Sequence, residues 1–261
     1  AYAGPRNRFT VLSDKGPLVV HNCGYQGGVG AFVTFALAYG TNLDAMADNA
    51  YSSIPDERIE KGARSYEWAL GKNMDFGLAK RTYLVCHAFV QMWRDAHSET
   101  VAWWKELETA FKNACRQPGK QFQARRVTAI KDKSWVRLIL PSGRSLCYPA
   151  PHLEGEDEKI SYMGISQFSR QWVRLKSYSG KLAENVTQAA SRDVFKSATP
   201  AIEAAGYEML IPVHDENITE APDLYCYSAD HLAALMANNP AWAAGLPLAA
   251  AGFEDYRYRK D

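Results

Sequence analysis

The sequence predicts an α+β fold, because helical and strand patterns occupy separate stretches of its 261 residues. From Val29 to about Arg116, apolar residues recur at helical spacing and strand signals are few. Short strand patterns separated by turn residues follow from Gln121 to Tyr148. We therefore expect a helical part, followed by a part that is built on an antiparallel sheet.

Breaks at Gly40, Pro55, Gly71 and Pro118 divide the helical part. The predicted helices are Val29–Tyr39, Asp56–Leu70, Leu78–Arg94 and Glu99–Cys115. The predicted strands that follow are Gln121–Ile130, Ser134–Leu140 and Arg144–Tyr148. Further along, the patterns predict one long helix Lys181–Ala205, a strand Tyr207–Val213, a returning strand Ile218–Glu220 and a short helix Asp230–Met236. Near the start, Arg8–Leu12 and Pro17–His21 are predicted as short strands.

The composition is typical of a globular protein and contains no apolar run that is long enough to span a bilayer. The first twenty residues contain charged side chains, which argues against a secretory signal. Five cysteines lie far apart without a CxxC pair. This spacing argues against a zinc ribbon or a disulfide scaffold, and favours reduced thiols in a cytoplasm.

The basic residues are clustered, although the net charge is only +1. Nine basic residues and one acidic residue, Asp132, lie between Lys112 and Arg144. A second cluster contains Arg170, Arg174, Lys176 and Lys181, with Trp172 and Tyr178 among them. Basic stripes with interleaved aromatic residues can hold a phosphate backbone, but a solvated face of an ordinary domain has the same composition. Charge alone leaves both interpretations open.

The tripeptide His21-Asn22-Cys23 follows a strand pattern and carries its own chemistry. An Asn side chain can cleave the following peptide bond by attacking its own carbonyl, a neighbouring His can polarise that carbonyl, and a Cys thiol can accept an acyl group. The segment resembles the C-terminal end of an intein. It departs from that family near Asn7, where a catalytic His is usual, and an ordinary β arm is the alternative. As an intein end it would splice only in trans, with a partner.

The segment from Cys23 to Phe32 is rich in glycine but fits neither the dinucleotide nor the P-loop fingerprint. It resembles the end of the nucleotide-binding finger helix of phage-type family A DNA polymerases. That resemblance implies that Tyr25 lines the insertion site beside the template base. It also implies that Gly27 and Gly28 belong to the nucleotide- and template-binding segment.

Two later segments resemble further parts of the same polymerase family. The segment Pro141–Pro149, with Arg144, resembles the hairpin that leads from fingers to palm, and Tyr178–Gln188 resembles the palm helix beneath the primer–template minor groove. The resemblance implies that Gln188 reads the minor groove and that Arg192, Arg144 and Lys181 contact DNA. A Gln and an Arg four residues apart on a helix are otherwise ordinary surface residues.

The sequence His214-Asp215-Glu216 lies at the predicted tip of an apolar hairpin. Carboxylates that are gathered at a bend are the hard oxygen ligands that divalent cations prefer. The turn resembles the catalytic turn of family A polymerases, which implies catalytic roles for His214, Asp215 and Glu216. It also implies that Asp215 and Glu216 are metal ligands in a site with two Mg²⁺ ions.

The resemblance implies an intein fragment at 1–22, a fingers subdomain at 23–135 and the C-terminal part of a palm subdomain at 136–261. The implied partners are primer–template DNA, a dNTP and an N-terminal polymerase half, in the cytoplasm of a bacterial host that carries a phage or prophage. The family takes its other metal-binding Asp from an Asp-Tyr-Ser-x-x-Glu pattern on an earlier strand. The segment from Ala50 to Pro55 is only superficially similar, because it has Ala at the Asp position and a helical setting. One carboxylate turn without its partner cannot form a site for two metal ions, so we expect the chain to be inactive alone. An exposed apolar sheet edge is expected until the other half joins. The alternatives are a DNA-binding or partner-binding remnant and an arbitrarily cut fragment.

Overall fold

The computed structural model describes the backbone of residues 2–4, 8–13 and 16–20, and residues 25–257. The three short N-terminal segments are strands β1 (Tyr2–Gly4), β2 (Arg8–Ser13) and β3 (Gly16–Val20), which form an antiparallel sheet in that order. The two predicted N-terminal strands are therefore confirmed in their described parts. The predicted splicing residues His21, Asn22 and Cys23 lie outside the described residues.

Five helices follow, and their bounds agree with the predicted ones to within two residues where a helix was predicted. They are α1 (Val29–Tyr39), α2 (Leu43–Ala50), α3 (Asp56–Gly71), α4 (Lys80–Ala96) and α5 (Ser98–Arg116). Helix α1 ends because Gly40 adopts a left-handed conformation, with φ of 64°, and donates its N–H to the carbonyl of Ala36. Helix α2 was not predicted, although the Asn42 side chain caps it by accepting from the N–H of Ala45 at 3.0 Å.

The core of the helical part forms around α4, which buries seven side chains. Val85 and Cys86 are fully buried there, and Cys86 belongs to a cluster that also contains Phe32 of α1 and Leu43 of α2. Helices α3 and α4 approach closely because Gly62 has no side chain, and a Cβ there would lie 3.3 Å from the Leu84 backbone. Each large apolar side chain that is fully buried stabilises the fold by about 1.5–3 kcal/mol.

The predicted strand Gln121–Ile130 is wrong as a single strand. The structure has β4 (Gln121–Ala124) and β5 (Val127–Asp132), joined by a tight turn in which Arg125 has a φ of 51°. Two further strands, β6 (Trp135–Ile139) and β7 (Ser145–Pro149), complete an antiparallel sheet in the order β4-β5-β6-β7. The turn was missed because two Arg residues carry none of the usual Gly or Asn turn chemistry.

A second sheet, which the sequence patterns did not predict, follows β7. It contains β8 (His152–Glu154), β9 (Lys159–Ile165) and β10 (Trp172–Lys176), in the order β10-β9-β8. Strand β9 buries both Ile160 and Ser161, so it lacks the simple alternation of apolar and polar residues that identifies a half-buried strand.

The long helix predicted for Lys181–Ala205 is wrong, because the structure contains two helices. Helix α6 covers Ser179–Ser197, and α7 covers Thr199–Ala204 with Pro200 in its first turn. Proline lacks the N–H that a continuous helix would use and is well suited to a helix start, so the break falls just before it.

A β-hairpin of β11 (Glu208–Val213) and β12 (Glu216–Glu220) follows, and then α8 (Ala229–Met236). The prediction of this hairpin is confirmed, except that Glu216 belongs to the returning strand and not to the bend.

The residues divide into two compact units. The first contains the chain up to Lys112 together with His152–Tyr162 and Arg174–Glu184. The second contains Asn113–Pro151, Met163–Val173 and the residues from Asn185 onward. Among the described residues, no helix combines the length and the apolar character that crossing a lipid bilayer requires.

Candidate functional site

The first unit contains a cleft of about 360 Å³ at the start of helix α1. Tyr25, Gly27 and Gly28, the three residues predicted to bind nucleotide and template, all line this cleft. The other lining residues are Val29, Gly30, Ala31, Phe76, Tyr178 and Glu184. The cleft therefore combines the N-terminal end of a helix, three aromatic rings and one carboxylate.

The segment that carries Tyr25 is held by hydrogen bonds from two helices. The Gln26 side-chain carbonyl accepts from the Ser179 hydroxyl at 2.8 Å and from the Gly180 N–H at 3.0 Å. It thereby satisfies donors at the start of α6 that have no partner within the helix. Arg94 of α4 donates to the backbone carbonyls of Gln26 and Gly27, each at 3.4 Å. The two residues that follow Tyr25 are thus held by α4 and by the start of α6.

Gly180 allows this arrangement because its backbone lies directly against residues 25 and 26. A Cβ at position 180 would overlap with the Tyr25 carbonyl oxygen and with the Gln26 Cβ, and would lie 2.7 Å from the Tyr25 carbonyl carbon. Backbone atoms cannot move aside as the end of a flexible side chain can. The glycine at the start of α6 is therefore required by close approach.

The environment of Tyr25 affects its ionisation. Burial, and to a lesser extent the neighbouring Glu184 carboxylate, raise the pKa of the Tyr25 phenol above its ordinary value of 10.0. Tyr25 therefore stays neutral at physiological pH and can donate a hydrogen bond from its hydroxyl. Glu184 also accepts a 2.9 Å ion-pair contact from Lys181 on the same helix.

The three lining residues from outside the segment 25–31 were not predicted to bind nucleotide. Tyr178 was placed in the second basic cluster and in the palm-helix segment, Glu184 belonged to that segment, and Phe76 was not singled out. The Phe76 ring lies over the backbone of α1, where a Cβ on Gly30 would be 2.9 Å from the ring. These residues come together through long-range packing, which local spacing does not reveal. The one sequence feature that could have drawn attention to Phe76 is that an aromatic residue lies in the turn at residues 73–77.

The predicted DNA-contacting residue Arg144 is engaged within the protein. Its Nε donates to Asp193 at 2.6 Å, and its Nη2 donates to the Ala189 carbonyl at 2.9 Å. The Ser142 hydroxyl donates to the other Asp193 oxygen at 2.5 Å. The turn between β6 and β7 is thereby tied to helix α6, and Arg144 lies beside that helix with about half of its side chain exposed.

The other predicted DNA-contacting residues lie along α6. Gln188 and Arg192 are both exposed and are one helical turn apart, so they share a face of the helix. Lys181 lies near the start of the helix and pairs with Glu184. The structure therefore places Gln188, Arg192 and Lys181 on one helix and ties Arg144 to it.

The predicted metal-binding residues lie at the tip of the β11–β12 hairpin. Val213 pairs with Glu216, so His214 and Asp215 form a two-residue turn. His214 has a φ of 52°, which is uncommon for a residue other than glycine. All three side chains of the predicted catalytic turn are exposed. Within the described residues, no group of three or more His, Cys, Asp or Glu side chains is arranged to hold a metal ion.

The base of this hairpin is anchored. Tyr207 is buried among α7, α8 and the hairpin, and its hydroxyl accepts from the Ser228 N–H at 3.0 Å. It also lies 3.1 Å from Nδ1 of His231. The edge of the Tyr227 ring packs against Tyr207, with ring centroids 5.1 Å apart. A rigid base thus presents an exposed tip.

Comparison with known proteins gives one clear similarity. The chain is 34% identical over 176 residues to a DNA polymerase of Bacillus phage SP02. The matched stretch is 66% of this chain and 27% of the relative, so the chain spans about a quarter of the length of the curated relative it matches. No model of a known protein family matches the sequence, and no solved structure matches it. Two thirds of this α+β chain is therefore similar to a region of a phage DNA polymerase.

Proposed function

We propose that this chain is the C-terminal portion of a family A DNA-directed DNA polymerase, which performs template-directed nucleotidyl transfer with two Mg²⁺ ions. The observation that carries the proposal is the 34% identity to a phage DNA polymerase over 176 residues. The cleft supports it, because Tyr25, Gly27 and Gly28 were expected to bind nucleotide and template and line one cavity.

In this proposal the cleft receives the nascent base pair. The neutral Tyr25 ring and the Phe76 and Tyr178 rings offer flat apolar surfaces on which a base can stack. The first turn of α1 lines the cleft, and a helix start favours negatively charged groups. The dNTP would lie with its base toward the rings and its phosphates toward the helix end.

The exposed face of α6 would contact the primer–template duplex. Gln188 would read acceptors in the minor groove, which every base pair presents there. Arg192 and Lys181 would contact phosphates. Arg144 would contribute positive charge from beside the helix, although Asp193 already neutralises part of it.

The hairpin tip would hold the metal ions through Asp215, with Glu216 beside it. The donor chemistry fits, because Mg²⁺ prefers carboxylate oxygens, and the exposed tip leaves both carboxylates accessible. When bound, two ions would activate the primer hydroxyl and stabilise the leaving pyrophosphate. His214 and the fixed turn would orient Asp215 toward the primer terminus.

The proposed metal site is incomplete within the described part of the chain. Two adjacent carboxylates are too few ligands, and Ala50 occupies the position at which the similar family pattern has Asp. Ala50 also ends helix α2 and precedes a single 3₁₀ turn, Tyr51–Ser53. The further carboxylate would come from an N-terminal polymerase half. The half-exposed Leu210 and Ile211 of the two-stranded hairpin sheet are consistent with strands supplied by that half.

Joining of the two halves would occur by protein splicing at Cys23. The Cys23 thiol would first receive the N-terminal half as an acyl group, displaced from a thioester at the start of the partner's intein segment. Asn22 would then cyclise and cleave its peptide bond to Cys23, with His21 polarising the carbonyl. The acyl group would finally shift from the Cys23 sulfur to the freed Cys23 amino group, which forms the peptide bond. The alternative function is a DNA-binding or partner-binding remnant that never polymerises.

Coexpression of this chain with an N-terminal polymerase half that ends in an intein start tests the proposal. Mass spectrometry should find one ligated chain in which Cys-Gly-Tyr-Gln-Gly-Gly is internal, and that product should extend a primed template. A Cys23→Ala variant, which has no thiol to accept the acyl group, should leave the two halves unjoined, and each separate half should be inactive. A ligated, folded product without primer extension would favour the non-catalytic alternative. Extension by this chain alone would contradict the two-half account.

A further inference from the structure

The hairpin between β9 and β10 ends in a structured loop, residues 165–172, which we name the aromatic tip. The Ser166 N–H donates to the Gln171 carbonyl at 2.9 Å, and the Arg170 N–H donates to the Ser166 carbonyl at 2.9 Å. The Ser166 and Ser169 hydroxyls accept from the backbone N–H groups of Ser169 and Gln171, at 3.2 and 3.4 Å. The tip is therefore organised by its own hydrogen bonds.

This organised tip exposes large apolar side chains. Phe168 is 99% exposed, Ile165 is 62% exposed and Trp172 is 57% exposed. Single exposed apolar residues are normal on protein surfaces, but here three large ones lie within eight residues of one hairpin end. None of the three has a role in the proposed polymerase chemistry. Their exposure indicates a binding surface.

The charges around the aromatic tip select the kind of partner. The 24 residues from Ile160 to Ala183 contain four basic residues and no acidic residue. Along β10 the exposed positions alternate as Trp172, Arg174 and Lys176. Glu154 interacts electrostatically with Arg174 and Lys176 and so offsets part of their positive charge. Arg170 is the basic residue that belongs to the tip itself.

We propose that the aromatic tip binds single-stranded DNA, with unpaired bases stacked on Phe168 and Trp172 and a phosphate held by Arg170. Aromatic rings bind unpaired bases of any sequence, because every base has a π-face, and nearby cations follow the backbone. The inference rests on the proposed function only in naming the strand as DNA, the unpaired template of a polymerase. Binding itself requires neither the metal site nor splicing.

A duplex partner fits the tip less well. Bases in a duplex are already stacked on each other and do not offer their faces to a side chain, whereas phosphate contacts alone would not need exposed rings. A purely apolar protein partner would not need the basic sequence that surrounds the tip. The combination of two exposed rings with Arg170 is the combination used for unpaired strands.

Binding of the full chain to DNA tests the inference, measured by fluorescence anisotropy at fixed salt. The probe is a labelled mixed-sequence oligonucleotide of about 16 nucleotides, used as a single strand and as a duplex. The test variant is Phe168→Ala combined with Trp172→Ala. The matched control is Tyr225→Ala, which removes a fully exposed aromatic side chain elsewhere in the second unit. Circular dichroism verifies that both variants fold.

The double variant should bind the single strand at least about tenfold more weakly, because each stacked base contributes a factor of about five or more. Duplex binding should change by less than about twofold, and Tyr225→Ala should match the wild type. Unchanged single-strand binding in the double variant, an equal loss for duplex, or no single-strand binding by the wild type would each overturn the inference.

The assay contains no dNTP or Mg²⁺, so a failure of this inference does not contradict the proposed polymerase function. A chain that binds through the tip but never extends a primer refutes the proposed function alone.

Discussion

The position of Tyr25 depends on Gly180, which is distant in sequence but lies against the Tyr25 backbone. Gly180 starts α6 against the backbone of residues 25 and 26, and the Gln26 side chain caps that helix. The hydrogen bond to Gln26 and the close backbone contact therefore both involve Gly180. A side chain at position 180 would therefore disturb both the helix start and the ring that lines the cleft.

Replacement of Gly180 by Ala should lower the free energy of unfolding by about 1–3 kcal/mol, the cost of forcing extra atoms into a packed contact. Urea unfolding of the purified chain measures the change. The matched control is Gly71→Ala at the end of α3, where a Cβ would meet nothing within 4 Å. That variant should be neutral or slightly stabilising, because Ala is the better helix former. Equal effects of the two substitutions would contradict the close approach.

The ionisation of Tyr25 should make stability depend on pH in the alkaline range. Below the ordinary phenol pKa of 10.0, Tyr25 is neutral in both folded and unfolded chains, and it contributes no pH dependence. Above that pH the unfolded phenol ionises first, because burial and Glu184 keep the folded pKa higher. The unfolded state then binds fewer protons, so stability falls as pH rises.

Urea midpoints recorded between about pH 8 and pH 11 test this prediction. The wild type should lose more stability above about pH 10 than Tyr25→Phe, which cannot ionise. Glu184→Gln should lie between them, because it removes the smaller of the two causes and leaves burial in place. Parallel profiles for the wild type and Tyr25→Phe would show that Tyr25 is as accessible to solvent when folded as when unfolded.

At the scale of elements, Asp193 joins the β6–β7 turn to helix α6. Its carboxylate receives hydrogen bonds from Arg144 and Ser142 and is largely buried, whereas Arg144 remains about half exposed. Asp193→Ala should reduce the free energy of unfolding by about 1–2 kcal/mol, after allowance for solvent screening of the Arg144 side chain. Chemical denaturation measures it.

The control for this ion pair is Asp157→Ala. Asp157 and Lys159 are 3.5 Å apart and both are exposed, so the loss should stay below about 0.5 kcal/mol. If Asp193→Ala were as mild as Asp157→Ala, the turn and the helix would not be held together by these contacts.

The helices were the most predictable elements, because their apolar residues recur at a regular spacing along the sequence. Helix α1 was predicted with its observed bounds, since apolar residues run from Val29 and Gly40 supplies the left-handed end. The strands of the second sheet were missed, because β9 buries polar Ser161 next to Ile160. The break before α7 follows from Pro200, a residue whose effect on a helix is local and could have been predicted.

The candidate site was only partly predictable, because some of its contacts join segments that are distant in sequence. The residues Tyr25, Gly27 and Gly28 carry a recognisable sequence pattern, and the cleft brings them together. Phe76 and the capping role of Gln26 depend on contacts between distant segments, which one sequence does not encode in any short pattern. Arg144 was expected to face DNA, and its partner Asp193 could not be anticipated from spacing.

At the scale of the whole molecule, the proposed function assigns three described features to one polymerase: the cleft, a helix with exposed polar residues and a hairpin with exposed carboxylates. The two compact units each contribute a described part: the cleft belongs to the first and the β11–β12 hairpin to the second. Two thirds of the chain matches about a quarter of a phage DNA polymerase, so the proposed polymerase chemistry would also need sequence that corresponds to the rest of that relative.

The most direct test of the central claim is primer extension by a chimera of that phage polymerase, in which the part of this chain from Cys23 onward replaces the homologous region. The folded chimera should extend a primed template with dNTPs and Mg²⁺. Asp215→Asn should abolish extension, because the turn would lose a metal-binding carboxylate. Glu220→Gln, an exposed acid at the other end of the hairpin, should remain active. A folded chimera that extends primers equally well with Asp215→Asn, or that never extends them, would contradict the account.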